Sequence, residues 1–415
     1  MIQTDVCVLG AGPGGVAASL QLAKLGISSI VVDKAVFPRD KICGDALSGK
    51  VPYVFNRIDK EIFKNFVPKD DIKYNCWGIE FIYPDREIQI DYKPGIEEAA
   101  LATEKPIGFI SKRMDFDNHL IDYVKKEPLI DLREGVQITD FEKTETGYLL
   151  SSSDKSIQIQ SKLVIVADGA QSKFARQIGK IEKDPKHYAG SVRAYYKNIP
   201  KVDHYNRIEL HFLDILQPGY LWVFPLPNNQ ANVGIGMRTD LLKEKKINLK
   251  KEMIRILKED ERFKERFKDA ELIGDIQGFG LPLGSKKRVI SGDHFMLIGD
   301  AASLIDPLTG EGIGNAAVSG RFAALHAAEA LKANDFSAKF LGKYDKMVYD
   351  KLWKELRVST FLQNSYKYPW LSKLLKRLGT NKQFIEVLSS IFSDVDLKKK
   401  LFSPVFYYKL IFNKA

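Results

Sequence analysis

Residues 5–34 read DVCVLGAGPGGVAASLQLAKLGISSIVVDK. The apolar run Asp5 to Leu9 predicts a short buried strand. A glycine cluster follows, then an Ala/Leu-rich stretch that predicts a helix ending at Gly26, and residues 28–34 predict a second strand. This is a β-α-β unit inside about thirty residues. Gly10-Ala11-Gly12-Pro13-Gly14-Gly15 fits G-x-G-x-x-G, between strand and helix, where that pattern carries meaning. Gly10 allows the tight turn, Gly12 lets a pyrophosphate approach the backbone, and Gly15 lets the helix pack close to the strand. Phosphates would rest on the free N–H groups at the positive end of the helix, beside Pro13 and Gly14. Asp33 ends the second strand 18 residues after Gly15, where an acid accepts hydrogen bonds from a ribose. Lys34 joins it as a candidate contact. An acid rather than an arginine there argues against a 2′-phosphate at this site.

A second signal is LIGDAASLIDPLTGEGIGNAAVSG, residues 297–320. Phe295 to Asp300 predicts a buried strand ending at Gly299-Asp300. A loop with Pro307, Gly310, Gly312 and Gly314 then opens a helix predicted over Ile313 to Ala333. Gly-rich loops at helix starts offer backbone N–H groups to anions or polarised carbonyls. The N1–C2=O edge of a flavin becomes negative on reduction and suits such a loop. Asp300 is placed to hold ribityl or ribose hydroxyls.

The chain has 415 residues, more than one hydrophobic core usually serves. A hydrophobic share of 45% and a charged share of 28% describe an ordinary globular protein, and no apolar run reaches the ~18–20 residues that span a bilayer. The stretch MIQTDVCVLGAG has no basic region before its apolar run and does not read as a secretion signal. Three cysteines, Cys7, Cys43 and Cys76, make no disulfide framework, so a reducing cytoplasm is expected. The six histidines are scattered away from zinc-site spacing, and no metal is expected. The net charge of +10 lies wholly in residues 332–415, which hold 17 Lys+Arg and 7 Asp+Glu mixed with aromatic and aliphatic residues. A solvated helical face is the plain reading. A surface resting on anionic lipid, as a peripheral membrane contact, is the sharper one. No nucleic-acid motif accompanies the charge, so no nucleic acid is expected as partner.

Elsewhere, Asp115 to Lys126 predicts a helix capped by Asp115. Residues 147–159 predict a polar hairpin, followed by a third core strand in LVIVADGA. Ser191 to Met237 predicts mostly strands, and Lys250 to Phe267 a charged helix. The expected fold class is α/β. A Rossmann-like cofactor domain is assembled from 1–75, 105–185 and 285–330, with a sheet-rich substrate domain from 76–104 and 186–284. A helical, basic C-terminal region covers 331–415.

Three stretches spread over about 300 residues now carry a resemblance: GAGPGG, VIVADGAQSKFAR at 164–176, and LIGDAA at 297–302. Together they resemble the fingerprints of FAD-dependent oxidoreductases of the para-hydroxybenzoate hydroxylase fold. The resemblance implies FAD as cofactor, with Asp168 and Gly169 of the middle stretch among its contacts. Arg113, in SKRMDFDNHL, resembles an arginine that lies near the FAD phosphates in that family. A single G-x-G-x-x-G implies no separate nicotinamide domain. Two further stretches point to a subfamily. KICGDALSG at 41–49 and PGYLWVFP at 218–225, followed by NVGIGM, resemble motifs of the geranylgeranyl reductase family. The first implies that Cys43 and Gly44 pass the reactive face of the isoalloxazine. The second implies that Tyr220 and Trp222 line a lipid cavity, and alternate strand residues do share a face. A small buried Cys43 without chemistry, and sheet packing for the two aromatics, are the plainer readings.

The implied activity is reduction of carbon–carbon double bonds in an isoprenoid or similar lipid, with NAD(P)H as transient electron donor. Cys43, Tyr220 and Asp45 are candidate proton donors, and Arg39 and Lys41 would assist a thiol if they point inward. Rival readings are an aromatic monooxygenase or a halogenase on the same fold, and a non-catalytic flavin-containing lipid-binding protein. The stretch GYLWVFP departs from the halogenase G-W-x-W-x-I-P at Tyr220 and Phe224, which favours the reductase.

Overall fold

A computed structural model describes residues 1–67, 69–93, 100–101, 104–200 and 204–365. Most of the basic region expected at 332–415 lies outside the described residues.

The α/β class holds, and three sheets carry the fold. The first runs in space Ser291–Gly292, Phe295–Leu297, Gln158–Val166, Ile2–Leu9, Ser29–Val32, Ile130–Arg133. Its four neighbouring pairs from Phe295–Leu297 to Ile130–Arg133 are parallel. These strands read as nearly unbroken apolar runs because helices cover them, and Val6, Cys7, Val8 and residues 163–166 have no exposure at all. The hairpin expected at 147–159 forms, with Gly147–Ser152 antiparallel to both Gln158–Val166 and Ile138–Thr144.

The second sheet has seven strands in the order Glu271–Pro282, Tyr188–Lys197, Gln230–Arg238, Tyr220–Leu226, Ile208–His211, Gly78–Tyr83, Arg86–Asp91. One face packs on the helix Leu249–Glu259 through Leu221, Val223, Val233, Met253 and Ile256. The opposite face presents Trp222, Phe224, Ile79 and Leu210. The alternation along Tyr220–Leu226 divides two cores with one strand. A small third sheet, Ala46–Leu47, Gly108–Ser111, Lys73–Cys76, joins the loop after Asp33 to the rest.

Helices Pro13–Lys24 and Ile313–Ala333 cross closely through small residues. A methyl group added at Gly14 would lie 3.2 Å from that of Ala316. Their N-terminal ends consequently open onto the same cavity.

Three element boundaries differ from expectation. The helix at Asp115 begins at Arg113, with Lys112 as its cap residue, so Asp115 lies in the first turn and caps nothing. The helix from Leu249 ends at Glu259: the Asp260 carboxylate accepts from the Arg262 backbone N–H at 3.0 Å and turns the chain. The strand from Phe295 ends at Leu297. Gly299, at φ +54°, starts a single 3₁₀ turn, Gly299–Ala302, with its N–H bonded to Ser319 Oγ at 3.0 Å.

Candidate functional site

A cavity of about 850 Å³ lies between the first two sheets. One part is walled by Gly10, Gly12, Asp33, Asp168, Gly299 and Asp300. The other is walled by Ile79, Leu210, Tyr220, Trp222, Phe224 and Phe279. Cys43 and Gly44 stand among the wall residues, with Lys41 and Arg113 close to the thiol.

The glycines of the first motif divide their work. A methyl group at Gly15 would lie 1.9 Å from the Gly10 carbonyl oxygen, so Gly15 serves helix-to-strand packing behind the wall. At Gly12 the nearest atom would be an Arg39 nitrogen 4.0 Å away, so Gly12 faces open space. Pro13 and Gly14 line the same wall. The Asp33 carboxylate accepts from the Ala11 N–H at 2.7 Å and the Ala35 N–H at 2.8 Å. Those bonds fix its position beside the loop and leave lone pairs for hydroxyl donors. Lys34, Gly169, Gly310, Gly312 and Ile313 also line the cavity. A space beside an unobstructed Gly12, two helix N-termini and the carboxylates of Asp33, Asp168 and Asp300 fits FAD.

Two candidate contacts lie behind that wall. Pro307 offers its carbonyl to Gln363 Nε2 at 2.6 Å, and the Gly314 N–H donates to Glu311 Oε1 at 2.9 Å. Arg113 lines the cavity, but its guanidinium is held by both oxygens of Asp117, each at 2.7 Å. Arg39 adds a third bond to that carboxylate at 2.7 Å. Asp117 therefore fixes two cations at the wall.

The loop at Cys43 is tied to the aromatic strand by buried polar groups. Trp222 Nε1 donates to Asn232 Oδ1 at 2.9 Å. Asn232 Nδ2 donates to the Cys43 carbonyl at 2.7 Å and to Asp45 Oδ2 at 2.8 Å. The Tyr195 hydroxyl donates to the same Asp45 oxygen at 2.7 Å. Asp45 has φ +70°, a left-handed conformation that this network holds in place. It is fully buried, and burial pushes its carboxyl up to about 6 against the pull of Asn232 and Tyr195. Gly44 lets the loop lie against the rings, since an added methyl would stand 2.9 Å from Phe224.

The three proton-donor candidates separate on this geometry. The Tyr220 hydroxyl is committed to the Thr309 carbonyl at 2.6 Å, and burial raises its pKa above the usual tyrosine range. Asp45 lines the cavity, but its Oδ2 is engaged by both Asn232 and Tyr195. Cys43 is half-buried and lines the cavity, with the Arg113 guanidinium, itself held by Asp117, close by. Lys41 points inward, its Nζ 3.3 Å from the centre of the Phe279 ring, and burial lowers its pKa to about 8.

Sequence reasoning missed the buried group beneath the second glycine loop. Lys50 Nζ donates to Glu311 Oε2 at 2.9 Å, Glu355 Oε1 at 2.7 Å and Asn315 Oδ1 at 3.1 Å. Glu311 Oε1 also accepts from Ser48 Oγ at 2.9 Å. Nothing local marks Lys50 as buried, because its partners lie 261, 265 and 305 residues away. Asn232 had a local sign: it opens the NVGIGM stretch, where a methyl at Gly234 would lie 2.2 Å from the Trp222 ring.

Comparison with known proteins places this geometry. Residues 3–344 match the family of FAD binding domain proteins. A digeranylgeranylglycerophospholipid reductase of Thermoplasma volcanium is 30% identical, over 84% of this chain and 83% of its own. One from Methanocaldococcus jannaschii is 28% identical, over 95% and 93%. In fold, the chain resembles a geranylgeranyl bacteriochlorophyll reductase-like protein of Thermoplasma acidophilum at TM-score 0.78 and 24% identity, covering 96% of this chain and 98% of that one. It also resembles a flavin-dependent brominase at TM-score 0.75 and 19% identity, covering 94% and 93%. The chain belongs to the FAD binding domain family, and within it to the geranylgeranyl reductase family of FAD-dependent oxidoreductases.

Proposed function

We propose that this protein reduces carbon–carbon double bonds of an isoprenoid-type lipid with electrons from NAD(P)H. One observation supports it most. The glycine- and carboxylate-lined part of the cavity is continuous with a part walled by Trp222, Phe224, Ile79 and Leu210, beside the Cys43–Gly44 loop. A polyisoprenoid needs such an apolar, aromatic wall. The relatives' names, reductases of a lipid bearing geranylgeranyl chains, agree with it.

In this reading Gly10, Gly12, Pro13 and Gly14 hold the pyrophosphate. Asp33 takes the ribose hydroxyls, Asp168 and Asp300 the hydroxyls nearer the flavin, and Gly310, Gly312 and Ile313 the pyrimidine edge. Bound FAD supplies hydride chemistry at its N5. Tyr220 and Trp222 orient the alkene by contact, and the apolar wall excludes water. Cys43 holds the proton at Sγ that the second alkene carbon receives. Arg113 and Lys41 stabilise the thiolate left behind. The basic sequence beyond residue 332 brings the protein to the anionic membrane surface where such lipids reside.

The test is turnover of a prenylated glycerolipid with NADPH or NADH, read by mass spectrometry. Each reduced bond adds two hydrogens. Cys43→Ala is expected to lower the rate at least tenfold while FAD content stays constant. Unchanged lipid mass with the wild-type protein would refute the reading. A halogenase reading has one observation in its favour, the inward Lys41. It requires halide- and oxygen-dependent modification of an aromatic substrate.

A further inference from the structure

Beside the main cavity lies a small cleft that the reading above does not use. The two share Gly169, Ala170, Arg176 and Asp300 as lining residues. The cleft is walled by Arg176, Lys183, His187, Tyr188 and Arg288, and its floor has about 20 Å³ of free room. That is enough for one or two oxygen-sized groups.

The cations here lack the partners that cations elsewhere in this protein have. Among the described residues no carboxylate lies within 4 Å of the charged nitrogens of Arg176, Lys183 or Arg288. Arg288 is half-buried, yet its guanidinium reaches only the carbonyls of Leu283 at 3.1 Å and Lys286 at 3.2 Å. Burial lowers its pKa, and the more distant Asp184, 3.2 Å from Lys286 and 3.8 Å from His187, offsets this only in part. Arg176 donates only to the Gln171 carbonyl at 2.9 Å. Lys183 lies over the Tyr188 ring, 5.3 Å from its centre. The Tyr188 hydroxyl is buried and has no hydrogen-bond partner, a second unfilled valence at the same place. His187 is held by Ser285 at 2.7 Å, and burial keeps its pKa low. The carboxylates on the wall are Glu182, which is exposed, and Asp300, on the side shared with the main cavity.

Arg288 is half-buried and Arg176 exposed; guanidinium groups with unused N–H donors bind phosphate oxygens in pairs, and a phenol supplies a further donor. We propose that this cleft is a phosphate-binding site that anchors the nicotinamide dinucleotide donor beside the flavin. The proposal rests on the reading above for the donor but not for the site. A phosphate held there leaves the rest of the molecule free to extend past Asp300 into the main cavity. A phosphate-bearing lipid headgroup presents the same chemistry, and the test separates the two.

The experiment titrates FAD-loaded protein with inorganic pyrophosphate by calorimetry, for the wild type, Lys183→Gln and Lys183→Gln/Arg288→Gln. Lys183 is exposed, so its variant guards against misfolding. Binding is expected to weaken several-fold in the single variant and at least tenfold in the double, with FAD content unchanged. Equal binding by all three proteins, no binding by the wild type, or loss of FAD in Lys183→Gln overturns the site. Half-reactions then identify the source. Weaker reduction by NADPH or NADH at limiting concentration, with dithionite reduction unaffected, supports the donor. Weaker reoxidation by a prenylated phospholipid, but not by the corresponding prenyl alcohol, assigns the site to the headgroup and overturns the donor assignment. A wild type that nicotinamide donors do not reduce refutes the donor reading while the pyrophosphate result still decides the site.

Discussion

Gly12 and Gly15 are three residues apart, and the same substitution would do different things to each. A methyl at Gly12 enters open cavity space, whereas one at Gly15 meets the Gly10 carbonyl at 1.9 Å. Gly12→Ala is expected to leave the melting temperature of flavin-free protein unchanged and weaken FAD binding on the order of tenfold, about 1.4 kcal/mol. Gly15→Ala is expected to destabilise the fold by about 1–3 kcal/mol or more, because helix and strand must separate. Thermal unfolding without FAD and flavin titration distinguish the two. Asp45 makes a pH prediction. Its carboxyl rises from 3.8 to about 6 on folding because it is buried. The folded state therefore holds this proton more tightly than the unfolded chain. The resulting stabilisation is full below about pH 4 and is lost as pH rises through 6. Denaturant unfolding from pH 4 to 7 should show the wild type losing stability relative to Asp45→Asn as pH rises. A parallel pair of pH curves would contradict this. The place of the glycine motif, Asp33 and Asp300 on the cavity wall was legible in the sequence because each lies in a turn or close after a strand end. The burial of Asp45 and the commitment of the Tyr220 hydroxyl were not, since each joins the second sheet to a loop distant in sequence: Asn232 and Tyr195 reach Asp45, and Tyr220 reaches Thr309.

Elements show the same division. The strand Tyr220–Leu226 was expected only as part of a mostly stranded stretch from Ser191 to Met237, and its two faces, Leu221 and Val223 against Trp222 and Phe224, appear only when both cores are in place. The helix ends at 113 and 259 were misread for one reason. An aspartate near a helix end can cap, sit in the first turn or turn the chain, and composition alone does not choose. The long helix Ala338–Asn364 was expected only as part of a helical region, yet it grips the second glycine loop. Glu355 reaches Lys50, and Gln363 reaches the Pro307 carbonyl. Lys50→Met would leave Glu311 and Glu355 without their shared cation. A cost of about 3–5 kcal/mol is expected, since breaking a buried ion pair from one side strands the opposite charge. Denaturant unfolding measures it, and Lys50→Arg should recover part of the loss. A cost within error of zero would show that the cluster does not hold the loop.

At the scale of the whole molecule, two sheets of different character enclose one cavity. The parallel sheet brings glycine turns and carboxylates to one end of it, and the second sheet brings an aromatic face. Polar and apolar walls thus come from different parts of the chain. Among the described residues no helix is long and apolar enough to cross a membrane. The most direct measurement is anaerobic mixing of the fully reduced flavoprotein with a prenylated glycerolipid, following flavin absorbance and lipid mass together. The expected result is flavin reoxidation without oxygen, with two hydrogens added to the lipid per flavin oxidised. A flavin that stays reduced until oxygen is admitted, with the lipid unchanged, would contradict the alkene reductase and point to oxygen-using chemistry on the same fold.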